Sequence, residues 1–159
     1  GYYFGKKEHV EQWKIYYPKR SDYRFIGNIS TKTIQGYRQL PKNGKLLVIT
    51  KSLKDCACLY GMGIPACAPQ SETQFISNTI LEDLRQRFDK IVLLFDSDLT
   101  GIHYTNVLRR KYDFLIPCII PRRYGAKDIS DFYKKYGRKG TIKFIKESIK
   151  YIKEWERHS

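Results

Sequence analysis

Apolar positions along residues 46–157 alternate between strand-like runs and helical spacings, and each change of period marks a new element. Leu46–Thr50 is a continuous apolar run, and Leu53, Cys56, Ala57 and Tyr60 follow at i, i+3, i+4 and i+7. This predicts a strand leading into an amphipathic helix, with Ser52 as its N-cap and Gly61 or Gly63 as its stop. Ile64–Ala68 reads as a second strand. Ser71-x-x-Gln74 has the form of a capping box, and Ile80, Leu81, Leu84 and Phe88 mark a helix behind it. Ile91–Phe95 is the third strand, Tyr104, Val107, Leu108 and Tyr112 the next helix, and Leu115–Ile120 the fourth strand. Asp128 is placed to cap a short helix over Ile129–Tyr136. The last helix carries the stripe Ile142, Ile145, Ile149 and Ile152, flanked by Phe144, Ser148, Tyr151 and Trp155. Its lysines at 143, 146, 150 and 153 read as a solvated face. The alternating order predicts an α/β fold, a mainly parallel sheet flanked by helices with right-handed crossovers.

Residues 1–45 have a different texture and read as a small basic β-rich segment. Tyr2-Tyr3-Phe4, the polar stretch Gly5–His9, and the alternation around Trp13, Ile15 and Tyr17 predict two strands joined by a turn. Behind them Lys19-Arg20, Arg24-Phe25, Lys32 and Gln35-Gly36-Tyr37-Arg38 interleave basic and aromatic residues. Such interleaving can hold a nucleic-acid strand by stacking and phosphate contact, or it can simply pack a small sheet. Pro41-Lys42-Asn43-Gly44 reads as a turn and a subdomain boundary. The organisation expected is therefore 1–45, then 46–137, then a C-terminal helix over 138–159 packed on or following the sheet.

Charge narrows the choice of partner. Thirty Lys and Arg against sixteen Asp and Glu give a formal net charge of +14. With 14% aromatic residues, that surplus favours nucleic acid over a membrane surface. No run of 18 apolar residues and no charged-then-apolar leader occurs, so a cytoplasmic, membrane-free setting is expected. Cys56, Cys58, Cys67 and Cys118 include no C-x-x-C pair, and they read as small buried hydrophobes in a reducing compartment. His9, His103 and His158 stand singly and take no catalytic role.

All strands of a parallel sheet end on one edge, where ligands of open α/β sheets bind. There the exits place Lys51, Lys54 and Asp55, then Ser71 and Glu72, then Asp96 and Asp98, then Arg122, Arg123, Lys127 and Asp128. Asp96 and Asp98 alternate past Ser97, so they share one side of an extended tip. Two carboxylates so placed suit Mg²⁺ holding phosphate oxygens, or form a turn that caps the following helix. The Lys and Arg residues would neutralise phosphates around them.

The succession Ile49-Thr50-Lys51-Ser52-Leu53-Lys54-Asp55, then Ala68-Pro69-Gln70-Ser71-Glu72, then Phe95-Asp96-Ser97-Asp98 with Gly101, then Lys127-Asp128-Ile129-Ser130-Asp131 resembles the TOPRIM domain. It is closest to the version in bacterial-type DNA primases, particularly those of phages and mobile elements, and it covers roughly residues 46–137. Tyr16–Leu40 more loosely resembles the end of the basic subdomain that precedes TOPRIM in those primases. The resemblance implies that Asp96 and Asp98 bind Mg²⁺ or Mn²⁺, and that Asp55 and Asp128 correspond to acidic residues of the first and third motifs. It departs from the family at Lys51, where a Glu usually ends the first strand. A cation cannot serve there as metal ligand or proton acceptor. Glu72 either restores the missing carboxylate while Lys51 turns to a nucleotide phosphate, or stabilises a helix N-terminus.

The function this implies is the catalytic core of a DNA primase, a nucleotidyltransferase that joins ribonucleoside triphosphates into a primer on single-stranded DNA, with a replicative helicase as a further partner. Catalysis would fall to Asp96, Asp98, Glu72 and Asp128, the metal to Asp96, Asp98 and Glu72, and phosphates to Lys51, Lys54, Arg122, Arg123 and Lys127. The alternatives are a TOPRIM nuclease, which the loss of the Glu argues against, and a nucleic-acid-binding module without catalysis. Gly1 in place of an initiator Met suits an excised domain or a processed start.

Overall fold

Leu47–Thr50 and Ile91–Leu94 are buried at every position, as strands covered on both faces require. They are neighbours at the centre of the larger of two units that make up the chain, Gly1–Thr33 and Ile34–Ser159. The computed structural model describes residues 1–23, 25–30, 32–70 and 76–158, with the backbone alone for Lys6 and 153–158. Ser71 and Gln74 of the expected capping box, Glu72 and Arg24 lie outside the described residues.

In the first unit β1 (Tyr2–Lys7) pairs antiparallel with β2 (Val10–Tyr16), and β2 with β3 (Phe25–Gly27). The hairpin turns on Glu8 and His9 alone, both at positive φ, the conformation that matches the twist of the flanking strands. The third strand was not legible in the sequence, because three residues carry too little periodicity. Asn28 extends its pairing, accepting from the Trp13 N–H at 2.9 Å and donating to the Glu11 carbonyl at 2.7 Å. Tyr16 stacks on Phe25 at 5.0 Å between ring centres, and the Lys14 ammonium lies 4.1 Å from the same ring centre.

The second unit contains β4 (Leu47–Thr50), α1 (Leu53–Gly61), β5 (Ala66–Cys67), α2 (Asn78–Arg87), β6 (Ile91–Leu94), α3 (Leu99–Lys111), β7 (Leu115–Pro117) and α4 (Ile129–His158). The strands form one parallel sheet in the order β5-β4-β6-β7. Alternation along the strands divides the core between its faces. Val48, Val92 and Leu94 pack with Leu59 of α1 and with Ile129, Phe132, Ile145 and Ile149 of α4. Leu47, Ile49, Ile91 and Leu93 pack with Leu81 and Leu84 of α2 and Leu108 of α3. The mainly parallel α/β fold expected from the sequence is therefore the one observed.

Local signals account for the helix starts. The Ser52 hydroxyl accepts from the Asp55 N–H, Ser77 caps α2, and Asp128 accepts from the Asp131 N–H at 2.8 Å. α4 is broken at Gly137 (φ 66°, ψ −178°), which separates the two helices predicted there. Arg138, just past the break, donates to the carbonyls of Gly61 and Met62 at the end of α1.

The larger unit begins earlier than the turn at Pro41–Gly44 suggests. Ile34 and Leu40 are buried in its core, and Gln35 exchanges backbone hydrogen bonds with Ala68 while its side chain donates to the Pro69 carbonyl. Residues 34–45 therefore pack with the parallel sheet. Among the described residues no helix is long and apolar enough to cross a membrane.

Candidate active site at the sheet edge

The β6 strand runs out into Phe95 and Asp96, both buried, before Ser97 and Asp98 turn the chain into α3. Thr50 pairs with Leu94, so Lys51 leaves β4 beside the carboxylate tip. Its ammonium donates to Asp96 Oδ2. Lys127 approaches from the loop before α4, with Nζ 3.3 Å from the same Asp96 oxygen and 3.6 Å from Asp98 Oδ2. That loop is tied down by the Ser97 N–H, which donates to the Lys127 carbonyl at 3.1 Å. Two ammonium groups thus meet on one oxygen of a carboxylate whose side chain is 1% exposed. Its other oxygen, Oδ1, is buried with no hydrogen-bond partner.

Asp98 has two tasks. Its Oδ1 accepts from the Gly101 N–H at 2.9 Å and caps α3, while Oδ2 faces Lys127. The Gly101 N–H, followed by the Lys127 and Lys51 charges, holds its carboxyl below the usual carboxylate range despite some burial. The Asp-Ser-Asp tip thus caps α3 through Asp98, and Lys127 lies within reach of both its carboxylates.

Asp128 accepts from Lys54 Nζ at 2.8 Å. Burial pushes its carboxyl up, but the Lys54 hydrogen bond and the Asp131 N–H outweigh burial and leave it low. Asp55 lies one layer deeper. It accepts from the Ser52 hydroxyl at 2.6 Å and from the Ser130 hydroxyl, joining the start of α1 to the start of α4. Burial raises its carboxyl, and the two hydroxyls offset only part of that rise. In the sequence Ser130 stands only as part of the Lys127–Asp131 motif and takes no role there, because its bond to Asp55 joins residues 75 apart in sequence.

The remaining candidates divide. Lys51, Lys54, Lys127, Asp96, Asp98 and Asp128 come together at this edge. Arg122 and Arg123 occupy the exposed turn Arg122–Tyr124; Arg123 lies against the Tyr124 ring and lines a cleft of about 550 Å³ between the end of β7 and α4. Cys56, Cys67 and Cys118 are free and buried, with burial pushing the Cys67 thiol up to about 12 and Cys118 to about 11, as inert core thiols should be.

Among the described residues no three His, Cys, Asp or Glu side chains gather as a metal cage. The donors that do gather, two carboxylates on one strand end with an unpartnered Asp96 oxygen, have the hard-oxygen chemistry a divalent cation takes. The donor chemistry fits such an ion, and in this arrangement Lys51 and Lys127 both sit on Asp96 Oδ2.

No family model matches the chain, and no curated protein matches it in sequence. Solved structures do. The DnaG catalytic core aligns with TM-score 0.66 at 12% identity over 91% of this chain and 51% of its own. The zinc-binding and RNA polymerase domains of the Aquifex aeolicus primase align with TM-score 0.63 at 15% identity over 86% of this chain and 36% of theirs. Primase domains of bacteriophage T7, solved with its lagging-strand DNA polymerase, an RNA/DNA hybrid and dTTP, align with TM-score 0.62 at 15% identity over 92% of this chain and 74% of theirs. The chain thus spans about half of the DnaG catalytic core structure and about a third of the Aquifex aeolicus one. With its two-carboxylate tip on the central strand, it has the fold of DNA primase catalytic cores.

Proposed function

We propose that this chain is the catalytic-core, TOPRIM-type fragment of a DNA primase, joining ribonucleotides on a single-stranded DNA template with Mg²⁺ or Mn²⁺. The observation that carries the reading is the convergence of Asp96, Asp98, Lys51 and Lys127 at the C-terminal edge of a primase-like sheet. Asp96 and Asp98 would hold the metal, with Glu72 as the candidate third carboxylate. When bound, the ion would neutralise charge on the reacting phosphates.

The chain's own contribution is placement. The cap to Gly101 fixes Asp98, and the Ser97 link to Lys127 brings an ammonium within reach of both carboxylates. Lys51, Lys54 and Lys127 supply positive charge for a triphosphate, and Arg122 and Arg123 extend it toward a template. The charge of +14 favours the polyanion as a whole. A replicative helicase is the natural further partner, since one of the similar structures is the primase fragment of the bacteriophage T7 primase-helicase protein.

A second reading, a nucleic-acid-binding module without catalysis, is favoured by the Lys51 ammonium on Asp96. One experiment separates them. The protein is incubated with single-stranded DNA, labelled ribonucleoside triphosphates and Mg²⁺ or Mn²⁺. Metal-dependent oligomers that vanish in Asp96→Asn support the primase, salt-sensitive DNA binding without product supports the module, and shortened DNA indicates a nuclease.

A further inference from the structure

We infer that Lys51 is a tethered counter-cation of Asp96, which keeps a divalent metal off the carboxylate pair until a nucleoside triphosphate draws its ammonium away. This rests on the nucleotide chemistry proposed above and adds a condition on when the site loads. The Asp96 side chain is almost wholly enclosed, and its Oδ2 receives both Lys51 and Lys127. Oδ1 is buried without a partner, so the oxygen the two lysines reach is the one they take first from an incoming ion. An ammonium and a divalent cation on one enclosed oxygen repel each other with little screening. Asp98 cannot relieve the conflict with both oxygens, because Oδ1 is committed to the Gly101 N–H.

The lysines themselves can move. Lys51 follows β4 on a long flexible stem and its side chain is 29% exposed, so the ammonium can swing while the backbone stays in the sheet. A polyphosphate offers such an ammonium several anionic oxygens in exchange for one carboxylate oxygen. The transfer uncovers Asp96 Oδ2 as the metal arrives with the same phosphates. A Glu at this position would attract a metal in the absence of nucleotide; a Lys makes loading depend on nucleotide.

The test uses the 159-residue chain as wild type, Lys51→Met and Lys51→Arg. Free Mn²⁺ is followed by electron paramagnetic resonance in titrations without nucleotide, and the Mn²⁺ complex of a non-hydrolysable ribonucleoside triphosphate is titrated separately by calorimetry. The expected result is opposite signs. Lys51→Met binds bare Mn²⁺ roughly tenfold tighter than wild type, the scale on which a neighbouring like charge shifts an ionic equilibrium, and binds the Mn²⁺–nucleotide complex about tenfold more weakly. Lys51→Arg follows wild type with bare Mn²⁺. The inference is overturned if Lys51→Met gains no affinity for bare Mn²⁺, or if both ligands move in the same direction. Tighter bare Mn²⁺ with no nucleotide binding by any of the three proteins would keep the competition at Asp96 and remove the proposed function beneath it. If Lys51→Met does not melt cooperatively, Lys51→Gln takes its place, because its amide still donates to Asp96.

Discussion

The carbonyl oxygen of Asp96 lies 2.1 Å from where a Cβ on Gly101 would stand. Helix α3 therefore starts against the end of β6 only because residue 101 has no side chain, and this closeness lets Asp98 cap the helix while still facing the sheet edge. The Gly of Phe-Asp-Ser-Asp-x-x-Gly is thus a steric requirement of the carboxylate tip. Gly101→Ala has to push backbone from backbone, at a cost of about 2 kcal/mol or more. The expected drop in Tm is roughly 5 °C, and a thermal melt followed by circular dichroism checks it.

The double duty of Asp98 separates stability from chemistry. Asn is as good an N-cap as Asp, so Asp98→Asn should keep the Gly101 hydrogen bond and a near-wild-type melt while removing the charge. Asp98→Ala should lose about 1 kcal/mol in addition. Under the proposed function both variants lose primer synthesis by about 100-fold or more. Full synthesis in Asp98→Asn would reduce the residue to its capping role.

Asp128 and Asp55 should titrate in opposite senses. Asp128 has a folded pKa below its unfolded value, near 3.9 for Asp. The stability it contributes is present above that value and lost as pH falls through the folded one. Lys54→Met removes the outweighing hydrogen bond, so its titration should move upward, the contribution should shrink, and the window over which it is lost should close at higher pH. Asp55, raised by burial, costs stability as pH climbs from its unfolded value through its folded one. Ser130→Ala should raise it further and extend that window. Carboxyl ¹³C NMR resolves both titrations.

Two glycines with open space around them should respond with opposite signs. Gly137 has positive φ and extended ψ, and no atom lies within 4 Å of an added Cβ, so Gly137→Ala tests backbone strain alone. A cost of about 1–3 kcal/mol is expected. Gly61 ends α1 with equal room and without positive φ, so Gly61→Ala should stabilise by about 0.5 kcal/mol. Denaturant midpoints for the pair check both.

Much of this protein was legible locally. The run Ile91–Phe95, the 3.6-residue stripes of α1 to α4, and the caps Ser52, Asp98 and Asp128 depend on neighbours within a turn or a strand, and each element formed near its predicted place. The same local logic placed Asp96 and Asp98 together at a strand exit, where Lys127 lies near both. What the tertiary structure decided lies between distant residues. Ile34 and Leu40 belong to the parallel-sheet unit because that core has room for them. The partnerships Lys51 with Asp96, 45 residues apart, and Ser130 with Asp55, 75 apart, exist because sheet order places β4 beside β6 and both helix starts at one edge. Composition could announce a basic protein with a carboxylate pair. Only the packing of strands could put an ammonium on the buried carboxylate and make that charge pair the central feature of the site.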